Sequence, residues 1–455
     1  MSKKNNKRTY HRPPSQKTII QKPTRLSQCM IVKNEEKNIE KALSWAKGIA
    51  FEQIVVDTGS SDRTVEIAES MGAKVFHFEW INDFSAAKNF AIEQASGDWI
   101  AFLDADEYFP DEEVKKLVQT LKNVESNPVL RKVKSAIRCP IVNLDDNGKP
   151  FLVIRQDRIF RNDPELRYKG RIHEYLDLKE PFILAPELSI IHTGYTNSAY
   201  AETGKVVRNV DMIREELRRD PDNATLKCYL ADSLRIAGDT QNLSEAEKLY
   251  SEALTSGQTI LSTLKQNAYG YLIAHYFEDE TRVEENTALC REAYTEFPEN
   301  PDFCFYYGRK LHVSGDYIMA WEKLVECENL LKGSSVNIAG WIISHPVLMF
   351  YQMTITAEAL GNISEVIRCA TLALKEDKYQ QGMITPYIAA FNRSGYETSA
   401  SEIFELLSKL YDFDNLKDKL TVMQGAKSVG NVDLVQLILG TFTKEELSWL
   451  TGEAK

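Results

Sequence analysis

Two aspartates separated by a single residue, Asp104 and Asp106, follow an apolar run that begins after Gly97. A short apolar run bounded by glycine is typical of a buried strand. Alternate residues of a strand point to the same side, so both carboxylates are expected to face one ligand. Paired carboxylates favour a hard divalent cation such as Mg²⁺ or Mn²⁺, which also binds substrate phosphates. The spacing predicts a metal-held diphosphate, and a solvated acidic loop is the plainer alternative.

Polar residues also follow two earlier apolar segments, at Asn34-Glu35 and at Asp57. Strands are predicted at 26–32, 53–56 and 73–78, and helices at 35–45, 65–71 and 85–94. Strands that alternate with helices predict a parallel sheet covered on both faces, which binds ligands at the carboxyl ends of its strands. No GxGxxG motif follows these strands, which disfavours a dinucleotide site.

The bulk composition bounds the class of protein. With 455 residues the chain is too long for one ordinary core, so two or three domains are expected. A net charge of -11 disfavours nucleic acid as the main partner. The sequence predicts no transmembrane segment and no secretion signal. The seven cysteines are irregularly spaced and lack CxxC pairs, which predicts reduced thiols, no zinc site and a cytoplasmic location.

Composition and predicted secondary structure divide the chain into three segments. Residues 1–25 are basic and contain no acid, which predicts a disordered, solvated tail, with weak attachment to anionic lipid or an acidic partner as the alternative. Residues 26–200 form the predicted α/β domain, and its later part has antiparallel strand candidates at 135–142, 153–160 and 188–192. Residues 201–455 are predicted to be helical.

The helical part is repetitive. Tyr229 and Tyr306 each lie nine residues before a glycine, Gly238 or Gly315, and a helix with a small residue follows. The small residues are Ala246 and Ala320, and weaker echoes stand at Gly361 and Gly395. Helix–glycine turn–helix units of this kind indicate a tetratricopeptide-like array that binds a peptide or a partner protein. An irregular helical bundle is the alternative, and a homodimer through this domain is left open.

Four motifs stand in order along the first part of the chain: Met30–Glu35, Val55–Asp62, Asp83–Asn89 and Leu103–Glu107. Together they resemble the family 2 glycosyltransferases, which have the GT-A nucleotide-sugar fold. The resemblance covers residues 26 to about 200. The chain is most similar to bacterial members with a tetratricopeptide-like tail, including enzymes that glycosylate bacteriocin peptides on Cys or Ser. The resemblance implies an α/β GT-A domain followed by an all-α tetratricopeptide-like domain.

The resemblance also implies roles for residues of these motifs. Asp57 would contact the base or ribose of the nucleotide, and Asp104 would lie near the ribose and the metal. Asp106 would ligate the divalent ion across the diphosphate. The nucleotide end of the pocket would be lined by Asn34, Glu35 and Ser60. Lys88 departs from the family, where arginine is general, and the bidentate fork that pairs with phosphate is lost.

Further candidates lie downstream, in segments that also resemble the family. Arg158 or Arg161 would bind phosphate, or would be a surface cation paired with neighbouring acids. An inverting transfer needs a base that deprotonates the acceptor, and Glu174 is favoured over the adjacent His173. His192 would be a third metal ligand, although a lone histidine at a strand end is often structural.

The sequence thus predicts a metal-dependent inverting glycosyltransferase that uses Mn²⁺ or Mg²⁺ and a nucleotide sugar, a UDP sugar above all. The predicted acceptor is a Cys or Ser of a peptide, with a cell-envelope glycan or lipid as the alternative. A nucleotidyltransferase is disfavoured, because Lys33-Asn34-Glu35 stands where its Gly-rich basic loop would follow the first strand. A non-enzymatic helical scaffold with an inactive GT-A domain is the remaining alternative.

Overall fold

The computed structural model describes residues 24–133, 136–178, 182–194, 205–277, 279–333, 341–393 and 398–451. The chain divides into two compact units, Met1–Glu202 and Thr203–Lys455. Nearly all of the predicted basic tail lies outside the described residues. The same is true of the segment 195–204, in which the predicted domain boundary falls.

The first half of unit 1 alternates strands and helices, as the apolar periodicity predicts. Its elements are β1 (Leu26–Val32), α1 (Ile39–Ser44), β2 (Glu52–Asp57), α2 (Thr64–Ser70), β3 (Lys74–His77), α3 (Phe84–Glu93) and β4 (Trp99–Phe102). The strands are parallel in the order β3-β2-β1-β4, and Val32 lies opposite Asp57 in the register of β1 and β2. The carboxyl ends of these strands therefore meet at one edge of the sheet.

The second half of unit 1 extends the same sheet. Its elements are β5 (Glu107–Tyr108), α4 (Asp111–Ser126), β6 (Ala136–Leu144), β7 (Pro150–Arg161), β8 (Tyr168–Lys169), β9 (Tyr175–Leu176), β10 (Ile183–Leu184) and β11 (Ile190–His192). The sheet order is β3-β2-β1-β4-β7-β6-β11-β5, β10 pairs with β6, and β8 and β9 form a separate hairpin. β7 is antiparallel to β4 and β6, which confirms two of the antiparallel candidates.

The third antiparallel candidate is only half right. β11 pairs parallel with β6 and antiparallel with the short β5. In the second pairing, His192 lies opposite Glu107. The end of β11 is thereby brought next to the residues that follow β4.

The expectation that Asp104 and Asp106 face one ligand as alternate residues of a strand is wrong. β4 ends at Phe102, so both aspartates lie in the turn beyond the strand. The alternation of a strand does not govern their side chains there. The two carboxylates contact different partners, as described below.

Unit 2 is all-α in its described residues, which confirms the helical prediction. Its helices are α5 (Lys205–Arg219), α6 (Ala224–Ala237), α7 (Thr240–Thr255), α8 (Ser262–His275), α9 (Val283–Glu296), α10 (Pro301–Val313), α11 (Tyr317–Gly333), α12 (Pro346–Ala359), α13 (Ile363–Glu376), α14 (Ile384–Arg393), α15 (Ala400–Leu407), α16 (Leu416–Ser428), α17 (Val432–Leu439) and α18 (Lys444–Thr451). Among the helices of the described segments, none combines the length and the apolar character that a bilayer crossing needs.

The repeat signals of the sequence mark real helix pairs. Gly238 and Gly315 have φ angles of 76° and 86°, which suit glycine, and each ends the first helix of a pair. Ala246 and Ala320 are fully buried in the second helices. The small residues thus allow close helix packing, as in helical repeats. The echo at Gly395 lies outside the described residues.

A buried carboxylate, Glu52, ties together the amino ends of the parallel strands. It accepts hydrogen bonds from Ser27 Oγ of β1 at 2.8 Å, from the Ser96 backbone N–H at 2.6 Å and from Lys74 Nζ of β3 at 2.8 Å. Burial alone would raise the pKa of Glu52, but these hydrogen bonds lower it from the ordinary 4.5 to about 2. Glu52 therefore stabilises the folded state in its charged form.

We expect Glu52→Gln to lower the free energy of unfolding at neutral pH, because the amide cannot accept these bonds as a carboxylate does. The pKa of Glu52 is depressed on folding, so its contribution is present above about pH 4.5 and is lost as the pH falls toward about 2. Denaturant titrations of wild type and variant across this range should converge at low pH. Glu69→Gln, at an exposed position of α2, is the control and should change little. A constant difference at every pH would contradict the assignment.

Candidate functional site

The loops that follow β1 and β2 are locked to each other at the carboxyl edge of the sheet. Asn34 has a left-handed backbone with φ 57°, and its N–H donates to Ser60 Oγ at 2.9 Å. Its side-chain oxygen accepts from the Ser61 backbone N–H at 2.8 Å. Asp57 accepts from the Ser60 backbone N–H at 3.0 Å. Three residues assigned to the nucleotide end of the pocket are thus brought together.

Glu35 and His77 complete this end of the site. The Glu35 backbone N–H donates to Thr64 Oγ1 at 2.7 Å, and its carboxylate accepts from Asn38 Nδ2 at 2.8 Å. His77 Nδ1 lies 3.4 Å from Asp57 Oδ2, and the histidine side chain is exposed. The sequence analysis missed His77, although its place at the end of a third parallel strand was a usable signal.

A group of five charged side chains, called the ion cluster below, lies beyond the end of β4. Four of its side chains are at most 15% exposed, and that of Asp104 is 38% exposed. Arg158 Nη2 contacts Asp104 Oδ2 at 2.7 Å and Glu107 Oε1 at 2.6 Å. Lys88 Nζ contacts Glu174 Oε1 at 2.7 Å and Asp104 Oδ1 at 3.4 Å. The cluster joins residues of α3, β5, β7, the turn after β4 and the β8–β9 hairpin.

Electrostatics keep the two cations of the ion cluster charged. The Lys88 side chain is 2% exposed, and burial alone would lower its pKa, but Asp104 and Glu174 raise it well above the ordinary value. The pKa of Arg158 is raised for the same reasons by Asp104 and Glu107. In turn, Arg158 and Lys88 hold the pKa of Asp104 well below its usual range, against the effect of its burial.

These contacts change the interpretation of the two predicted phosphate ligands. Arg158 is paired with acids, as the plainer alternative proposed, but it is buried and not on the surface. Lys88 holds two carboxylates in place instead of standing open at the pocket. Arg161 pairs with Glu125 at 2.5 Å and lies over the Trp99 ring, which is a structural role.

The β8–β9 hairpin carries both candidate bases, and α3 fixes its position. Asn89 on α3 bonds both backbone groups of Tyr168: its amide donates to the carbonyl at 2.9 Å, and its oxygen accepts from the N–H at 2.8 Å. The Phe84 N–H at the start of α3 donates to the Arg171 carbonyl at 2.8 Å. The connection between the strands turns through His173, whose φ is 54°. This turn directs Glu174 to Lys88.

Asp106 and His192 form a second pair, separate from the ion cluster. Asp106 Oδ2 lies 3.5 Å from His192 Nε2. The other ring nitrogen, Nδ1, lies 2.7 Å from Asn143 Oδ1, which as an oxygen can only accept. With Nδ1 donating to Asn143, Nε2 is the ring nitrogen that faces Asp106. Burial lowers the pKa of His192, but Asp106 raises it above the ordinary value, so a metal at this pair would displace a proton from Nε2. The sequence analysis did not assign Asn143.

The residues at this pair fit a divalent cation that keeps positions for phosphate oxygens. A Cβ added at Gly194 would stand 2.0 Å from Asp106 Oδ2 and 2.7 Å from His192 Nε2. Only glycine at this position therefore leaves room for both side chains. Within the described segments, no group of three or more His, Cys, Asp or Glu side chains is arranged to hold a metal. Asp104, which was predicted to join Asp106 and His192 as a metal ligand, contacts Arg158 and Lys88 instead. The three-residue metal site stays a prediction.

Comparison with known proteins identifies the segment that contains the first part of this site. Residues 27–133 match the family model described as Glycosyl transferase family 2. The matched segment contains β1 to α4, and so the loops with Asn34 and Asp57 as well as the turn with Asp104 and Asp106.

Two curated relatives match over longer stretches. A TPR repeat-containing protein of Synechococcus elongatus is 34% identical over 245 residues, which are 51% of this chain and 57% of that protein. The SPbeta prophage-derived glycosyltransferase SunS of Bacillus subtilis is 31% identical over 199 residues, which are 43% of this chain and 45% of that protein. The chain thus spans about half the length of each of these relatives.

Among solved structures, the crystal structure of S. aureus TarS 1-349 in complex with UDP-GlcNAc is similar at a TM-score of 0.35 and 15% identity. The match covers 60% of this chain and 92% of the TarS chain. The sequence profile is the finding that identifies the domain: residues 27–133 of this chain are a family 2 glycosyltransferase domain.

Proposed function

We propose that this protein is a metal-dependent inverting glycosyltransferase, which moves a sugar from a nucleotide sugar, a UDP sugar above all, to a Cys or Ser side chain of a peptide. The observation that carries the proposal lies at one edge of the sheet whose first strands fall in the family 2 match, residues 27–133. There the Asp106–His192 pair and the Lys88-bound Glu174 stand in contact with residues that follow β4. A nucleotide would bind at the locked loops of Asn34 and Asp57, together with Glu35 and Ser60.

The Asp106–His192 pair is the proposed place for Mn²⁺ or Mg²⁺. When bound, such an ion offsets the negative charge that develops on the departing diphosphate. Asn143 pairs with Nδ1 of the His192 ring, which leaves Nε2 for a metal, and Gly194 leaves room for both side chains of the pair. The contact of Asp104 with Arg158 favours a structural or ribose-binding role for this carboxylate over ligation.

Glu174 is the proposed base that removes the proton from the acceptor. Lys88 fixes one of its oxygens at 2.7 Å, which leaves the other oxygen to the acceptor. Burial lowers the pKa of His173 to about 4, so this histidine is neutral but only weakly basic at physiological pH. The acceptor would attack the anomeric carbon opposite the leaving diphosphate, which inverts the configuration.

A peptide acceptor is supported by the helical repeats of unit 2, because helix–turn–helix arrays commonly bind extended peptides. One relative with similar sequence is itself named for TPR repeats. A glycan or lipid acceptor remains the alternative, and products formed with labelled nucleotide sugar distinguish the two. Mass spectrometry would locate the added hexose on a peptide or on a glycan.

We expect Asp106→Asn to reduce Mn²⁺-dependent hydrolysis of the donor by about a hundredfold, because the amide is a weaker metal ligand. Calorimetry with UDP-, GDP- and dTDP-sugars, with and without Mn²⁺, measures donor binding alongside the rate. Asp111→Asn, at an exposed position in the first turn of α4, is the matched control and should retain activity. Binding of no nucleotide sugar by the wild-type protein would overturn the proposed function and favour the scaffold alternative.

We expect Glu174→Gln to lower acceptor transfer by about a hundredfold or more while donor affinity changes little, because the amide cannot take a proton. His173→Asn is the matched comparison, since asparagine tolerates the left-handed backbone at this position. Steady-state kinetics with both variants separate transfer from donor binding. An equal loss of transfer in the two variants would contradict the choice of Glu174.

A further inference from the structure

His77 is an exposed histidine whose ring contacts a buried carboxylate. It is the last residue of β3, and it lies opposite Asp57 in the parallel register of β2 and β3. Its Nδ1 lies 3.4 Å from Asp57 Oδ2. The side chain of His77 is 70% exposed, and that of Asp57 is 6% exposed. The ring is therefore open to a ligand at the carboxyl edge of the sheet, whereas the carboxylate is not.

The carboxylate of Asp57 is occupied by its own loop. Oδ1 accepts a hydrogen bond from the Ser60 backbone N–H at 3.0 Å, and Oδ2 accepts one from the Gly59 N–H at 3.2 Å. With the His77 ring as a further partner, Asp57 fixes the loop and the ring together. A nucleoside that approaches this edge would meet the ring before the carboxylate. Burial therefore favours a positioning role for Asp57 over the direct contact that the family resemblance implies.

The contact with Asp57 determines which ring nitrogen of His77 remains for a ligand. A carboxylate oxygen accepts hydrogen bonds, so the proton of this contact lies on Nδ1 of the histidine. In a neutral ring with its proton on Nδ1, Nε2 carries a lone pair and accepts a hydrogen bond. The pair thus presents an acceptor at the edge of the sheet.

The order of the strands places His77 at the end of the edge that is far from the proposed metal position. The parallel strands run β3-β2-β1-β4, and Asp106 lies in the turn after β4. Neighbouring strands are about 4.8 Å apart, so the end of β3 lies about 14 Å from the end of β4. A nucleotide whose diphosphate lies near Asp106 can extend across the ends of β1 and β2 toward His77. The group that reaches the ring is then the base.

We propose that His77 binds the base of the donor nucleotide and that its Nε2 accepts a hydrogen bond from N3–H of a uracil. Asp57 acts through His77, as the residue that positions the ring. This inference rests on the proposed function, because it assumes that a nucleotide binds at the loops of Asn34 and Asp57. It adds a reason for the choice of base. Uracil carries a donor at N3, whereas cytosine has an unprotonated acceptor nitrogen there, so an acceptor on the protein favours UDP over CDP.

The test is calorimetry of wild type and His77→Ala with UDP, CDP and inorganic pyrophosphate, each with Mn²⁺. We expect the variant to lose about tenfold in affinity for UDP, because the hydrogen bond to the base is lost. Its affinities for CDP and for pyrophosphate should stay within about twofold of wild type. The preference for UDP over CDP should therefore fall about tenfold, a change that a general loss of folding would not produce.

The positioning role of Asp57 has a spectroscopic test. Nitrogen NMR of the His77 ring should show the proton on Nδ1 in wild type. In Asp57→Asn the proton should shift toward Nε2, because an amide can donate to Nδ1, and the preference for UDP over CDP should narrow. An unchanged ring tautomer together with an unchanged preference would contradict this role.

His275→Ala in unit 2 is the matched control. His275 Nε2 lies 3.5 Å from Glu247 Oε2, and the histidine side chain is 51% exposed, so the pair is of the same kind. This variant should bind all three ligands as wild type does. Equal weakening of UDP, CDP and pyrophosphate by His77→Ala would overturn the assignment of His77 to the base, and so would unchanged binding of UDP. Both results leave the proposed function intact, whereas failure of the wild-type protein to bind any nucleotide or nucleotide sugar would overturn the proposed function as well.

Discussion

The burial of Lys88 is the constraint on which the arrangement of the site depends. An ammonium group with only 2% of its side chain exposed persists only when anionic partners compensate its lost hydration. Its partners, Asp104 and Glu174, come from the turn after β4 and from the β8–β9 hairpin. Residues that are far apart in sequence are therefore held around one atom of α3. Removal of the Lys88 ammonium would leave both carboxylates without their common partner.

This constraint explains why two aspartates separated by one residue do different work. β4 ends at Phe102, and the turn that follows sends Asp104 toward Lys88 and Arg158. Asp106 is left to face His192 on β11. The first carboxylate is occupied by cations of the protein, so the second is the one whose surroundings suit a metal. The contacts also explain why lysine suits position 88, where the resembling family generally has arginine. A compact ammonium can bridge the carboxylates of Asp104 and Glu174, which approach it from separate directions.

The features that could be predicted from the sequence are those that local residue patterns determine, namely the positions of strands and helices and the polar residues at the strand ends. Apolar periodicity predicted β1 with its observed limits and placed every element of the parallel half within a few residues. The polar ends of the strands indicated Asn34, Asp57 and the pair after β4. Long-range pairing was less accessible, since nothing local in 188–192 states that β11 runs parallel to β6 and antiparallel to β5. Asn143 is brought opposite His192 only by that pairing, and Arg158 is enclosed through the pairing of β7 with β4 and β6, so only the structure revealed these two roles.

The same edge of the sheet also holds backbone strain. Among the described residues, the non-glycine positions with positive φ are Asn34, Asn82 and His173, and all three lie in loops of unit 1 that border the site. Asparagine tolerates this conformation, but histidine does so less readily, at a cost of about 1 kcal/mol or more. The Phe84–Arg171 backbone bond and the Lys88–Glu174 ion pair flank His173 and offset that cost. The strained turn is thus held in place by contacts within unit 1, and these contacts also fix the position of Glu174.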